Sequence, residues 1–187
     1  MRMDLAKEPE GPRLVPSFLG AAYVLAGRVA EALPLLERVV KQTDAMGVVS
    51  DHVLGVIPLG EGYLRAGRID DALRLARHAA EVCHQHQERG HEAWALRLLG
   101  EIHAHLDPPA VELAEEYYRR ALSLANELEM RPLQAHCHRG FGLLYAKIGR
   151  REEARVDLSA AIALYRAMEM TFWLPQAEAA LAAVEGR

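Results

Sequence analysis

Aromatic residues are scarce in this chain: three Phe, two Trp and six Tyr among 187 residues, although 51% of the sequence is hydrophobic. Any core must therefore be built from Leu, Ala and Val. Cysteine is as rare, and Cys83 and Cys137 alone make no disulfide framework. The formal net charge of −4 gives no general attraction for phosphate backbones or anionic lipid. That argues against nucleic acid and membrane surfaces as partners. Only Lys7, Lys41 and Lys147 are lysines among 22 basic residues. No apolar run reaches the length of a membrane span. Met1 to Pro12 carries Arg2, Asp4, Lys7, Glu8 and Glu10 and lacks the apolar centre of a signal peptide, so a cytoplasmic location is expected. Few windows show the period-two alternation of a strand. Ala, Leu, Arg and Glu dominate, all good helix formers, and the expected class is all-α.

What the chain does have is repetition. Leu19-Gly20…Tyr23…Gly27-Arg28…Ala32 returns as Leu59-Gly60…Tyr63…Gly67-Arg68…Ala72, as Leu99-Gly100…His103…Ala114, and as Phe141-Gly142…Tyr145…Gly149-Arg150…Ala154. The leading glycines stand 40, 40 and 42 residues apart. Self-similarity at that period is the mark of a helical solenoid.

Each repeat predicts a helical hairpin. First helices are expected over 13–26, 50–66, 91–106 and 132–148, second helices over 29–45, 69–88, 109–129 and 151–168. Gly27, Gly67 and Gly149 stand where a first helix must stop, because glycine takes the left-handed C-terminal position at little cost. Asp107-Pro108-Pro109 takes that place in the third repeat. Gly47 and Gly90 are expected to close second helices, with Met130 and Met170 at the equivalent later positions. Ser50 and Thr171 are candidate N-caps. Pro34 and Pro58 fall inside helices, which predicts kinks, or a late start for the helix holding Pro34. A ninth helix over 172–184, with Trp173, Leu174, Ala177 and Leu181 on one side, would cover the open end of the array. The repeats then divide as 13–49, 50–90, 91–130 and 131–170, after a tail over 1–12 and before a capping helix over 171–185.

Gly20, Gly60, Gly100 and Gly142, with Ala32, Ala72, Ala114 and Ala154 in the second helices, resemble the small-residue pattern of tetratricopeptide (TPR) repeats. Small residues let paired helices approach closely. The resemblance implies a right-handed superhelical solenoid of four hairpins plus a C-terminal capping helix, with a concave groove that holds a peptide or helix. The period exceeds the usual 34 residues, so longer helices are expected. The stretch Arg131-Pro132-Leu133…His136-Cys137-His138…Gly149-Arg150, then Tyr165-Arg166-Ala167-Met168 and Thr171-Phe172-Trp173-Leu174, resembles the end of large bacterial signalling proteins. Those join a nucleotide cyclase or transcriptional-regulator head to an AAA-type ATPase and then TPRs. That likeness implies a regulatory role in cis or in trans. The chain has no G-x-x-x-x-G-K-[ST] phosphate loop, so neither activity is implied for it.

With the repeat glycine as a ruler, the groove-facing positions read Ser17, Ala21, Leu25; Ile57, Glu61, Arg65; Arg97, Glu101, His105; and Arg139, Leu143, Lys147. One turn earlier come Leu14, Leu54, Trp94 and His136. Arg65, Arg97, Arg139 and Lys147 around Trp94, with Glu101 and His136, form the candidate partner-binding groove. Guanidinium groups grip carboxylates through paired hydrogen bonds, and Trp is a large flat anchor, so an acidic peptide is the expected ligand. The competing reading pairs Glu61 and Glu101 with the arginines. The position after the repeat glycine holds Ala21, Glu61, Glu101 and Leu143 rather than the Asn of carboxylate-clamp TPRs, which speaks against chaperone tails.

Leu14, Val15 and Phe18, with Leu19, sit on the first helix with no preceding helix to cover them, a candidate edge for homo-oligomers. Cys83, His84, His86 and His91 cluster in sequence, as do His136, Cys137 and His138, but residues two apart diverge on a helix and make no closed metal site. No serine lies in a nucleophile motif. No catalytic residue, metal or cofactor is expected. Tyr118 is read as a second-helix core residue, and Phe172-Trp173 as the seal of the terminal helix.

Overall fold

The computed structural model describes residues 14–44 and 49–186. The expected tail over 1–12 and Gly47 lie outside the described residues, as do the side chains of Leu14, Ser50 and Leu54. The described residues form nine α-helices and no strand: α1 (Leu14–Leu25), α2 (Val29–Asp44), α3 (Val49–Arg65), α4 (Ile69–Gln85), α5 (Arg89–His105), α6 (Val111–Glu127), α7 (Arg131–Lys147), α8 (Arg151–Ala167) and α9 (Leu174–Glu185).

Each helix packs on the next in sequence, and α1, α3, α5, α7 and α9 also pack on one another in order, whereas α2, α4, α6 and α8 do not. The odd-numbered helices are thus the crowded inner layer of a solenoid and the even-numbered ones its outer layer. Repeat glycines let the two helices of a hairpin approach closely. A Cβ on Gly20 would stand 2.5 Å from Leu36 Cγ, and one on Gly142 2.6 Å from Leu158 Cγ. Ala32, Ala72, Ala114 and Ala154 are fully buried across from them.

The turns follow one hydrogen-bonding rule. At the first, Arg28 N–H donates to Tyr23 O at 2.8 Å and Gly27 N–H to Val24 O at 3.1 Å, the paired closure of a Schellman cap. The turns at Gly67 and Gly149 repeat it, with φ of 74° and 79°. The turns after α4, α6 and α8 use the same closure without glycine: Gln87, Glu129 and Glu169 take φ of 58°, 54° and 54°. Gly90, expected to close α4, instead lies in the first turn of α5. The cap needs its left-handed residue two positions after the helix ends, and Gln87 occupies that place.

Two further expectations change. Helix α2 begins at Val29 and runs through Pro34, so no late start occurs; α3 likewise runs through Pro58. Thr171 is not an N-cap, because α9 begins at Leu174 after a turn and no side chain caps it. Phe172 is 51% exposed and lies edge-on to Trp173, so Trp173, Leu174, Ala177 and Leu181 do the sealing against Ile162 and Tyr165.

The Tyr and Arg of the repeat phrase act together. Arg28, Arg68 and Arg150 lie 4.3, 4.1 and 4.4 Å from the ring centres of Tyr23, Tyr63 and Tyr145. Arg68 and the Tyr63 hydroxyl both donate to Glu37 of the preceding repeat, and Arg150 donates to Glu115. The third repeat lacks Gly-Arg. There Lys147 of α7 reaches back and donates to Ala104 O at 3.1 Å and Leu106 O at 2.8 Å, capping the end of α5.

Candidate functional site

A cleft of about 620 Å³ opens along the inner layer. Arg65, Trp94, Arg97, Glu101, His136, Arg139 and Lys147 all line it, with Ala21, Leu25, Ile57, Glu61, His105 and Leu143 from the same set of groove positions. Ser17 is buried instead. The periodic spacing of the first helices stacks these positions one above another, so the ruler set by the repeat glycines finds the lining.

Charge on the floor is largely internal. Arg97 donates through Nη1 to Glu101 Oε2 at 2.6 Å and through Nη2 to Glu61 Oε1. Burial works against the Arg97 cation, but the two carboxylates outweigh it and hold its pKa up. Burial pushes Glu61 above the usual carboxylate range despite Arg97. Glu101 is also penalised by burial, yet Arg97 and Arg139 together hold it below that range. Arg65 and Arg139 extend the line into an alternation of five charges, Arg65, Glu61, Arg97, Glu101, Arg139. Neither end is salt-bridged among the described residues. Arg65 is exposed, and Arg139 lies 5.3 Å from the ring centre of Trp173. Lys147 faces the same cleft with its ammonium already on the α5 carbonyls.

The far wall is aromatic. His136 lies 5.7 Å from Trp94, 5.5 Å from Tyr165 and 4.8 Å from Trp173, and its Nδ1 shares a hydrogen bond of 2.8 Å with the Tyr165 hydroxyl. Burial, then the positive charges of Arg97 and Arg139, push its pKa down to about 3, so the ring is neutral at pH 7.

One lining residue comes from the outer layer. Tyr118 of α6 passes between α5 and α7 to reach the cleft. A Cβ on Gly100 would stand 2.7 Å from its Cδ1, and one on Gly140 2.5 Å from its Cζ, so these two glycines form its slot. Sequence reasoning put Tyr118 in the core, which its 2% exposure matches, but not on the cleft floor. The signal was Gly140, where α5 carries Leu98 and α3 Pro58.

At the other end, Val15 and Phe18 are each 61% exposed and Leu19 44%. Cys83 and Cys137 are buried free thiols, pushed up to about 11 and about 12 chiefly by burial. Among the described residues no group of three or more His, Cys, Asp or Glu is placed to hold a metal, and no helix is long and apolar enough to cross a membrane.

This is the architecture of a TPR-like helical repeat. Solved structures similar to it include the nearly identical TPR-like repeats of a kinesin light chain from Podosopora anserina, at a TM-score of 0.60 and 16% identity, covering 95% of this chain and 97% of that one. At that identity the likeness concerns the fold. No protein-family model matches the sequence, and no curated protein is similar to it.

Proposed function

We propose that the chain is a non-catalytic interaction scaffold that binds a peptide or helix in its concave cleft. The observation that carries this is the convergence of α1, α3, α5 and α7 on one preformed cleft walled by Trp94 and Trp173. A rigid receptor loses little entropy on binding. Arg65 and Arg139, at the two ends of the charge line and without a salt bridge among the described residues, favour an acidic ligand, whereas Arg97 serves as the strut between two glutamates. The likeness of residues 131–174 to bacterial cyclase and ATPase signalling proteins supports a second reading, in which binding regulates such a head in cis or in trans.

The test uses a random twelve-residue peptide library panned on the intact protein. Both tryptophans of the chain line the cleft, so intrinsic fluorescence reports its occupancy. Selected peptides should shift that fluorescence and lose affinity at least tenfold for Arg65→Glu/Arg139→Glu at unchanged helicity. Peptides that bind without either effect place recognition elsewhere.

Self-association through α1 is a separate proposal. Its outward stripe is Val15, Phe18, Leu19 and Ala22, and the helix contains no charged residue. The matching positions in α5, Ala95, Leu98, Leu99 and Ile102, are buried. An uncharged stripe packs on its own copy without desolvating or opposing charges. Sedimentation should show mass rising with concentration, and Phe18→Glu should abolish the rise.

A further inference from the structure

The cleft floor presents a phenol hydroxyl brought there from the outer layer of the solenoid. Tyr118 is 98% removed from solvent by packing between Gly100 and Gly140, yet it lines the cleft. Its hydroxyl makes no hydrogen bond among the described residues. Its ring packs on Phe141 at 5.2 Å, which holds the phenol in one direction. The phenol is therefore held ready at the cleft, with no partner among the described residues competing for its proton. Arg97 Nε, on the same cleft lining, is a buried donor without a partner among the described residues. Two glycines admit one ring from the outer layer and bring its hydroxyl to the cleft rather than to a partner within the fold. Leucine fills the comparable space between repeats elsewhere, as Leu98 does against Gly60.

We infer that Tyr118 is a specificity-determining residue of the cleft, its hydroxyl donating a hydrogen bond to an oxygen of the bound peptide. Burial, with the charge of Glu101 beside it, holds the phenol protonated far above neutral pH, so it is a donor in the working range. The acceptor is a carbonyl or carboxylate oxygen on the cleft floor beside Gly140, within reach of the Arg97 and Arg139 charges. Neutral His136 puts no further cation there. This inference rests on the cleft being the binding surface.

The hydroxyl is removed without disturbing the ring by Tyr118→Phe. Its effects on stability and on binding should separate. The free protein should keep its urea midpoint, because the hydroxyl faces the cleft and bonds nothing in the fold. Affinity for the panned peptides, measured by tryptophan fluorescence, should fall roughly five- to tenfold, the value of one hydrogen bond. Replacing each Asp or Glu of the peptide by Asn or Gln separates the acceptors: a further loss that vanishes in Tyr118→Phe identifies a side-chain carboxylate, and no change identifies a backbone carbonyl. Equal affinity of Tyr118→Phe and wild type, with binding still lost in Arg65→Glu/Arg139→Glu, overturns the role of Tyr118 and leaves the cleft reading intact. A library that yields no peptide able to move the fluorescence overturns both.

Discussion

Three residues carry backbone strain that their neighbours in the array avoid. Gln87, Glu129 and Glu169 hold the left-handed conformation that Gly27, Gly67 and Gly149 hold elsewhere. For an L-residue that conformation costs about 1–2 kcal/mol, part of which glycine returns as unfolded-state entropy. Each of Gln87→Gly, Glu129→Gly and Glu169→Gly should therefore stabilise the chain by about 0.5–1 kcal/mol, read from urea midpoints. Gly67→Ala should do the reverse. His136 gives a second prediction. Its folded pKa of about 3 lies below the ordinary 6.5 through burial and the charges of Arg97 and Arg139. The stability this supplies is complete above pH 6.5 and is lost as pH falls, because the unfolded chain takes up a proton that the folded chain refuses. From pH 6 toward 3 the loss is about 1.4 kcal/mol per unit. The pH profile of His136→Gln should be shallower by about that slope between pH 6 and 4.5. Parallel profiles would mean that the ring titrates normally in the fold.

At the scale of elements, the junction of α5 and α6 departs from the repeat phrase. It has no Gly-Arg closure, and Lys147 supplies from α7 what the local sequence lacks. An ammonium at a helix C-terminus also meets the negative end of the dipole. Lys147→Met keeps the stem and removes the donor. It should cost about 1 kcal/mol and speed amide exchange at the loop amide of Ala110, which donates to His103 O, while the Gly149 turn is unaffected. The helices themselves were legible in the sequence, because Gly-Arg and the 40-residue period mark their stops. The stops between repeats were not. A Schellman closure is made by backbone groups, so Gln87 leaves no compositional trace, and the nearby Gly90 drew the boundary three residues late. The cleft lining was legible for a related reason, since a periodic ruler on the first helices needs no side-chain detail. Pairing was less so: spacing placed Glu61, Arg97 and Glu101 together without deciding whether they face a ligand or one another.

For the whole molecule, stacking makes stability a sum of neighbour terms, so damage at one end should decay along the array. Helix α9 puts this to use in two ways. It closes the last hairpin through Ala177 and Leu174, and its leading Trp173 stands on His136 and under Arg139 as the end wall of the cleft. Fold and site therefore share one residue. Trp173→Ala removes a partly buried ring and should cost about 2–3 kcal/mol, below the range for a sealed tryptophan. Hydrogen exchange should then quicken most in α7 and α8, less in α5 and α6, and hardly at all in α2 and α3. Cleft affinity for the panned peptides should fall in the same variant, because the cleft loses the ring that walls it beside His136 and Arg139. Uniform acceleration across all the helices would instead mean that the array unfolds as one cooperative block. The capping helix would then act on the cleft through global stability rather than as its wall.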